Sequence, residues 1–114
     1  MRTLFAVFVL AASGVAFAQQ GAPAGDAAHG KALFMQDGCY ACHGTAGHGE
    51  PYGPKLAPDP LPFNVVMNQL RQPRAVMPRY APQFVTDQDV ADIYAYLASV
   101  PASRKASEIP LLKD

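Results

Sequence analysis

Three stretches of the chain repeat apolar residues at helical spacing, and none alternates apolar with polar residues as a half-buried strand does. In the first, Leu33 and Phe34 lie on one side, a turn from Gly30. Asp26 stands before it as an N-cap and Gly38 after it as a stop, which predicts a helix from Ala27 to about Asp37. In the second, Phe63, Val66, Met67 and Leu70 recur at helical intervals. Pro62 fits its first turn, and Pro73 ends it. The third begins at Thr86 and is stopped by Pro101. Asp87, Asp89 and Asp92 lie toward its positive end, and Val90, Ile93, Tyr94 and Leu97 form its apolar stripe.

The stretches between these helices are loops. Residues 44–61 hold four glycines and four prolines, and residues 73–85 are broken by Pro73, Pro78 and Pro82. The expected fold class is all-α, with short helices and long loops. Such loops are unusual in a compact domain unless something organises them. A large prosthetic group inside the fold would do so. With 114 residues, the chain is read as one domain behind a leader.

That leader is the first eighteen residues. Arg2 gives a positive start, Leu4 to Ala12 is apolar, and Ala16-Phe17-Ala18 is a small-x-small cleavage pattern. The largely apolar stretch from Leu4 to Ala18 is only fifteen residues, short of the ~20 a spanning helix needs. Residues 1–18 are therefore expected to be a cleaved signal peptide, with export to the periplasm and no stable membrane insertion afterwards. Residues 19–25 are read as a flexible start and residues 26–101 as the domain. Residues 102–114 are a weakly structured tail in which Ile109 to Leu112 could dock.

Nine basic residues balance nine acidic ones, which gives no reason to expect nucleic-acid binding. Without Arg2 the count is eight against nine, so strong steering toward an acidic partner is not expected either.

The two cysteines change the picture. Cys39-Tyr40-Ala41-Cys42-His43 is a C-x-x-C-H sequence, the attachment pattern for haem c. Thiols separated by two residues sit about a helical turn apart and can reach both vinyl groups along one side of a porphyrin. The next residue brings an imidazole beneath the iron. A thioredoxin-like pair would sit near a βαβ pattern, which is not visible. A disulfide closing so small a loop would stabilise little. A zinc site would need further Cys or His ligands at matching spacing.

The iron then needs a sixth ligand or an open position. Met35, Met67, Met77, His29 and His48 are the candidates. Met35 and Met67 fall in helices and read as core. His48 follows His43 too closely to reach the opposite face, and His29 reads as solvated. Met77 lies in a proline-bracketed loop well separated from His43, and Met/His is a standard axial pair.

Taken in order, Cys39–His43, Tyr52-Gly53-Pro54-Lys55-Leu56, Val76-Met77-Pro78 and Asp92-Ile93-Tyr94-Ala95-Tyr96-Leu97 resemble the class I c-type cytochromes, over about residues 27–100. The resemblance implies the cytochrome c fold, with short helices wrapped around one covalently bound haem c. It implies terminal helices that cross closely at a glycine, so that Gly30 and Phe34 would meet Tyr96 and Leu97. It implies that the Pro54 carbonyl accepts from the second nitrogen of His43, and that Met77 is the axial ligand. Tyr52 and Tyr80 are the candidates for the aromatic residue many members place at a propionate, neither at an exact match.

The expected function is electron transport, single electrons passing between a redox-protein donor and acceptor, with no enzyme activity of its own. Recognition would use an apolar patch at the haem edge. The alternatives are a haem subunit bound to a periplasmic dehydrogenase and, further off, a haem-based ligand sensor.

Overall fold

The structure is a computed structural model in which residues 21–112 are described. The expected signal peptide, residues 1–18, lies outside the described residues, as do positions 19, 20, 113 and 114. The described chain forms α1 (Ala27–Gln36), α2 (Tyr40–His43), α3 (Phe63–Arg71) and α4 (Asp87–Ser99). Short 3-10 turns follow at Ala106–Glu108 and Pro110–Leu112. Among the described residues there is no sheet, only a bridge between Glu50 and Gly53. The fold is all-α.

Local chemistry sets the helix ends. The Asp26 carboxylate accepts from the backbone N–H of Ala28 at 2.8 Å and of His29 at 3.1 Å, satisfying two otherwise orphaned donors. Asp37 closes α1, and Gly38 follows with a φ of 77°, a left-handed turn that glycine makes without strain. Thr86 caps α4 in a reciprocal box, its hydroxyl accepting from Asp89 N–H while the Asp89 carboxylate accepts from Thr86 N–H. Pro62 is not in the first turn of α3 as expected. With ψ at 141° it is the cap, and the helix begins at Phe63.

The core sits where α1 crosses α4. Phe34, Val90 and Leu97 are its largest fully buried side chains, each worth roughly 1.5–3 kcal/mol of apolar burial. Phe34 and Tyr96 meet with ring centroids 5.5 Å apart. Gly30 lets the backbones touch, but it faces Asp92 and Ile93 rather than Tyr96 and Leu97. Each residue on α1 meets its partner according to the crossing angle, so Gly30, a turn before Phe34, meets α4 a turn earlier.

Three other expectations change. Met35, expected in the core, lies on the outer side of α1 with 37% of its surface exposed. Tyr94 is only half-buried and stacks edge-on against Phe63 of α3, with centroids 5.5 Å apart. Asp92 is buried on the inner face of α4 instead of serving the helix dipole. It accepts from Asp26 N–H and from the Gln88 amide, both at 2.9 Å, and pairs with His29 at 2.7 Å. His29 is therefore tied to α4 rather than simply solvated.

Candidate functional site

Cys39 caps the single turn α2, Cys42 lies within it, and His43 ends it. Both cysteines are free thiols, half-buried, and the His43 ring is buried. Burial, reinforced by the charge of Asp37, pushes the Cys39 thiol up to about 11. Burial also raises the Asp37 carboxyl, whose Oδ2 is enclosed without a hydrogen-bond partner.

The loop after α2 is shaped around His43. Gly49 N–H donates to the His43 carbonyl at 3.0 Å, and the N–H groups of Leu56 and Ala57 both reach the Gly47 carbonyl at 2.8 Å. The Tyr96 hydroxyl donates to the Thr45 carbonyl at 2.9 Å, which fastens the loop to α4. This fold of the loop brings the Pro54 carbonyl to 2.8 Å from Nδ1 of His43. A carbonyl can only accept, so Nδ1 carries the proton, and Nε2 is left with a lone pair to offer a metal. A bond of this kind also fixes the ring plane and raises its basicity. Gly53 lies so close that an added Cβ would stand 2.8 Å from Nδ1 of His43.

These residues fit a covalently held porphyrin. Two free thiols lie in one helical turn, and the imidazole beside them has Nδ1 committed to the Pro54 carbonyl, with Nε2 left to offer a metal.

The second segment is the loop after α3. It is stapled to the end of that helix. Tyr80 N–H donates to the Leu70 carbonyl at 2.9 Å, Arg71 reaches the Tyr80 carbonyl at 2.7 Å, and Arg79 Nε reaches the Arg71 carbonyl at 3.0 Å. Arg71 also pairs with Asp87 at 2.6 Å, joining the loop's base to α4. Met77 is half-buried and packs against the core residues, and its sulfur lies 3.4 Å from the Gln69 amide nitrogen. Val76 beside it is 88% exposed.

The Tyr80 hydroxyl donates to the Asp37 carbonyl at 3.0 Å, next to Cys39. Burial is the largest cause of a rise to about 12, so it stays a donor across the working pH range. Tyr52 is 80% exposed. His48 uses both ring nitrogens, at 3.0 Å from the Pro101 carbonyl and 2.9 Å from the Ser103 hydroxyl, which ties the loop after α2 to the tail. Gln69 has no role in the sequence-based expectations, and Asp92 is expected there only toward the positive end of α4; its partners Asp26 and His29 come to it only when α1 and α4 cross.

A family model described as cytochrome c oxidase, cbb3-type, subunit III matches residues 25–97. The chain belongs to this family of c-type cytochromes, with the class I monohaem pattern. Its cofactor is covalently bound haem c, and its chemistry is haem-based electron transfer. When bound, that group supplies an iron that alternates between Fe(II) and Fe(III). No curated protein and no solved structure gives a significant match to the chain. Among the described residues no helix is long and apolar enough to cross a membrane.

Proposed function

We propose that this protein is an exported monohaem electron carrier. Cys39 and Cys42 hold the haem, and His43 and Met77 are its axial ligands. The observation that carries the reading is the bond between His43 Nδ1 and the Pro54 carbonyl, 2.8 Å long, which leaves Nε2 for iron. The choice of Met77 is supported by what the other candidates do. His29 is held by Asp92, and His48 spends both nitrogens on the tail. Met35 is exposed on α1, and Met67 lies on α3 against the core. Met77 sits in the loop after α3, which is anchored to that helix and to α4.

Two permanent ligands keep the geometry nearly the same in both oxidation states. A thioether favours Fe(II), so the potential is expected to be positive. The signal at residues 1–18 directs the domain, residues 26–101, to the periplasm, where redox proteins serve as donor and acceptor. Exposed Val76 and Pro78 flank Met77 and offer them an apolar contact. Residues 60–86 contain three arginines and no acidic residue, although the whole chain is balanced. Of these, Arg74 and Arg79 are exposed, so the partner's matching surface is apolar with an acidic rim.

A second reading, a haem subunit of a larger complex such as a periplasmic dehydrogenase, is favoured by the tail. Leu111 is 93% exposed and Leu112 58%, an apolar end available for permanent docking. The family description, an oxidase subunit, points the same way. Elution of the purified protein as a monomer, with none of it retained in a complex from cell extract, would eliminate this alternative.

The test of the main reading is spectroscopic. Oxidised protein should show the weak sulfur-to-iron band at the red end of the visible spectrum, and Met77→Ala should lose it. A Met77→Ala protein that keeps the band refutes the ligand assignment. Haem should survive acid-acetone extraction in wild type and be extracted when both cysteines are alanine.

A further inference from the structure

Gln69 is an α3 residue whose side-chain amide lies against the Met77 loop. Its Nε2 lies 3.4 Å from Met77 Sδ and 3.5 Å from the Arg74 carbonyl. Both neighbours are acceptors only, and an amide carbonyl turned toward them would meet lone pairs on each side. The amide orientation is thus fixed by its surroundings: the NH2 group serves both. Gln69 is half-buried on a helix whose next residue, Leu70, is buried, so the amide is carried on a rigid element.

A thioether sulfur has two lone pairs. From this geometry we infer that Gln69 is a positioning residue for the axial methionine. One N–H holds the lone pair that the metal does not use, while the other N–H holds the loop through the Arg74 carbonyl. This inference rests on the reading of Met77 as the sixth ligand.

Two effects follow from one bond. The amide limits the rotamers of a flexible side chain, so the sulfur is presented and not left to search. The N–H also draws electron density from the sulfur and points the positive end of its dipole at the metal side. Both of these electronic effects act against Fe(III), so Gln69 raises the potential, while the restricted rotamers slow loss of the methionine from the oxidised form.

The test uses the mature haem-loaded protein in three variants. Gln69→Leu removes both donors at similar bulk. Gln69→Glu keeps the shape but presents acceptors, and it carries the test if the leucine variant folds poorly. Met77→Ala reports on the underlying reading. Potentials are read by redox titration, ligand retention by imidazole binding to the oxidised protein, and folding by far-ultraviolet circular dichroism. In both Gln69 variants the potential should fall and imidazole should bind roughly fivefold more tightly, the worth of one hydrogen bond. If Met77→Ala loses the sulfur band while both Gln69 variants match wild type in potential and imidazole affinity, Gln69 has no such role and the ligand reading stands. If Met77→Ala keeps the band, the ligand reading fails and this inference goes with it.

Discussion

Gly30→Ala is the substitution that most directly probes how the fold is held. On an isolated helix, alanine is better than glycine by about 1 kcal/mol, so α1 alone would gain. The crossing reverses the sign. A Cβ at Gly30 would overlap the Asp92 carbonyl and stand 2.7 Å from the Ile93 nitrogen. Both are backbone atoms of α4, so no rotamer change relieves the clash, and the helices must move apart. Overpacking costs about 1–3 kcal/mol, and a contact with backbone belongs at the upper end. Separation also loosens Phe34 from Tyr96, sacrificing part of the roughly 1.5–3 kcal/mol that burying Phe34 contributes. Set against the propensity gain, the net loss is about 3 kcal/mol.

In a domain this small, such a loss lowers the melting temperature by roughly 12–24 °C. The assay is thermal unfolding of the oxidised, haem-loaded protein followed by far-ultraviolet circular dichroism. Ala28→Gly, on the exposed side of the same helix, is the control and should cost only about 1 kcal/mol. If Gly30→Ala melts at or above the wild-type temperature, helix propensity has decided the outcome. Close approach of α1 and α4 at Gly30 then does not limit stability.

Two further variants test polar contacts that join distant parts of the chain. Tyr80→Phe removes the donor to the Asp37 carbonyl and should cost about 1 kcal/mol, seen as a lower urea midpoint at unchanged slope; an unchanged midpoint would show that bond to be idle. The His29–Asp92 pair makes stability depend on pH from both sides. The hydrogen bond to Asp92 raises His29 above its ordinary 6.5, so its contribution is complete below 6.5 and lost as pH rises through the raised value. Asp92 is lowered to about 2 by His29 first, then by Asp26 N–H and Gln88. Its contribution is complete above the ordinary 3.8 and lost as pH falls toward 2. Urea midpoints should therefore peak between pH 3.8 and 6.5, and His29→Gln should flatten the alkaline decline. An alkaline decline of the same size in that variant would assign it to other groups.

Most of the helical fold could be read from local signals. Asp26, Gly38, Thr86 and Pro101 mark helix ends because capping is a matter of a few adjacent residues. The period of the apolar residues located α3 and α4, though it did not distinguish the half-buried Tyr94 from the buried Tyr96. Periodicity gives a face, and only packing decides how deep each position lies. Met35 shows the same gap. It falls among apolar neighbours in sequence, yet α1 turns it outward. Asp92 is the opposite case, an acid buried because its partners, Asp26, His29 and Gln88, come together only when α1 and α4 cross.

The two sides of the candidate site were legible to different degrees for the same reason. On the proximal side the chemistry is contiguous. Cys39 to His43 is one turn, and Pro54 returns to His43 through a single loop closed on Gly47 and Gly49. A motif can record such a site because its geometry is set within about twenty residues of chain. The distal side has no such closure. Met77 is placed by bonds from Leu70, Arg71 and Tyr80, and α3, which carries the first two, is itself placed by Phe63 against Tyr94 and Arg71 against Asp87. A methionine in a proline-bracketed loop is a weak signal until that chain of contacts exists. Gln69, whose amide nitrogen lies 3.4 Å from that sulfur, gave none beyond being polar beside Leu70. Covalent attachment is thus written in the sequence as a pattern. The hold on Met77, the proposed sixth ligand, is written as tertiary structure, which is why substitutions in α3 and its loop are expected to shift potential and ligand retention while leaving haem attachment intact.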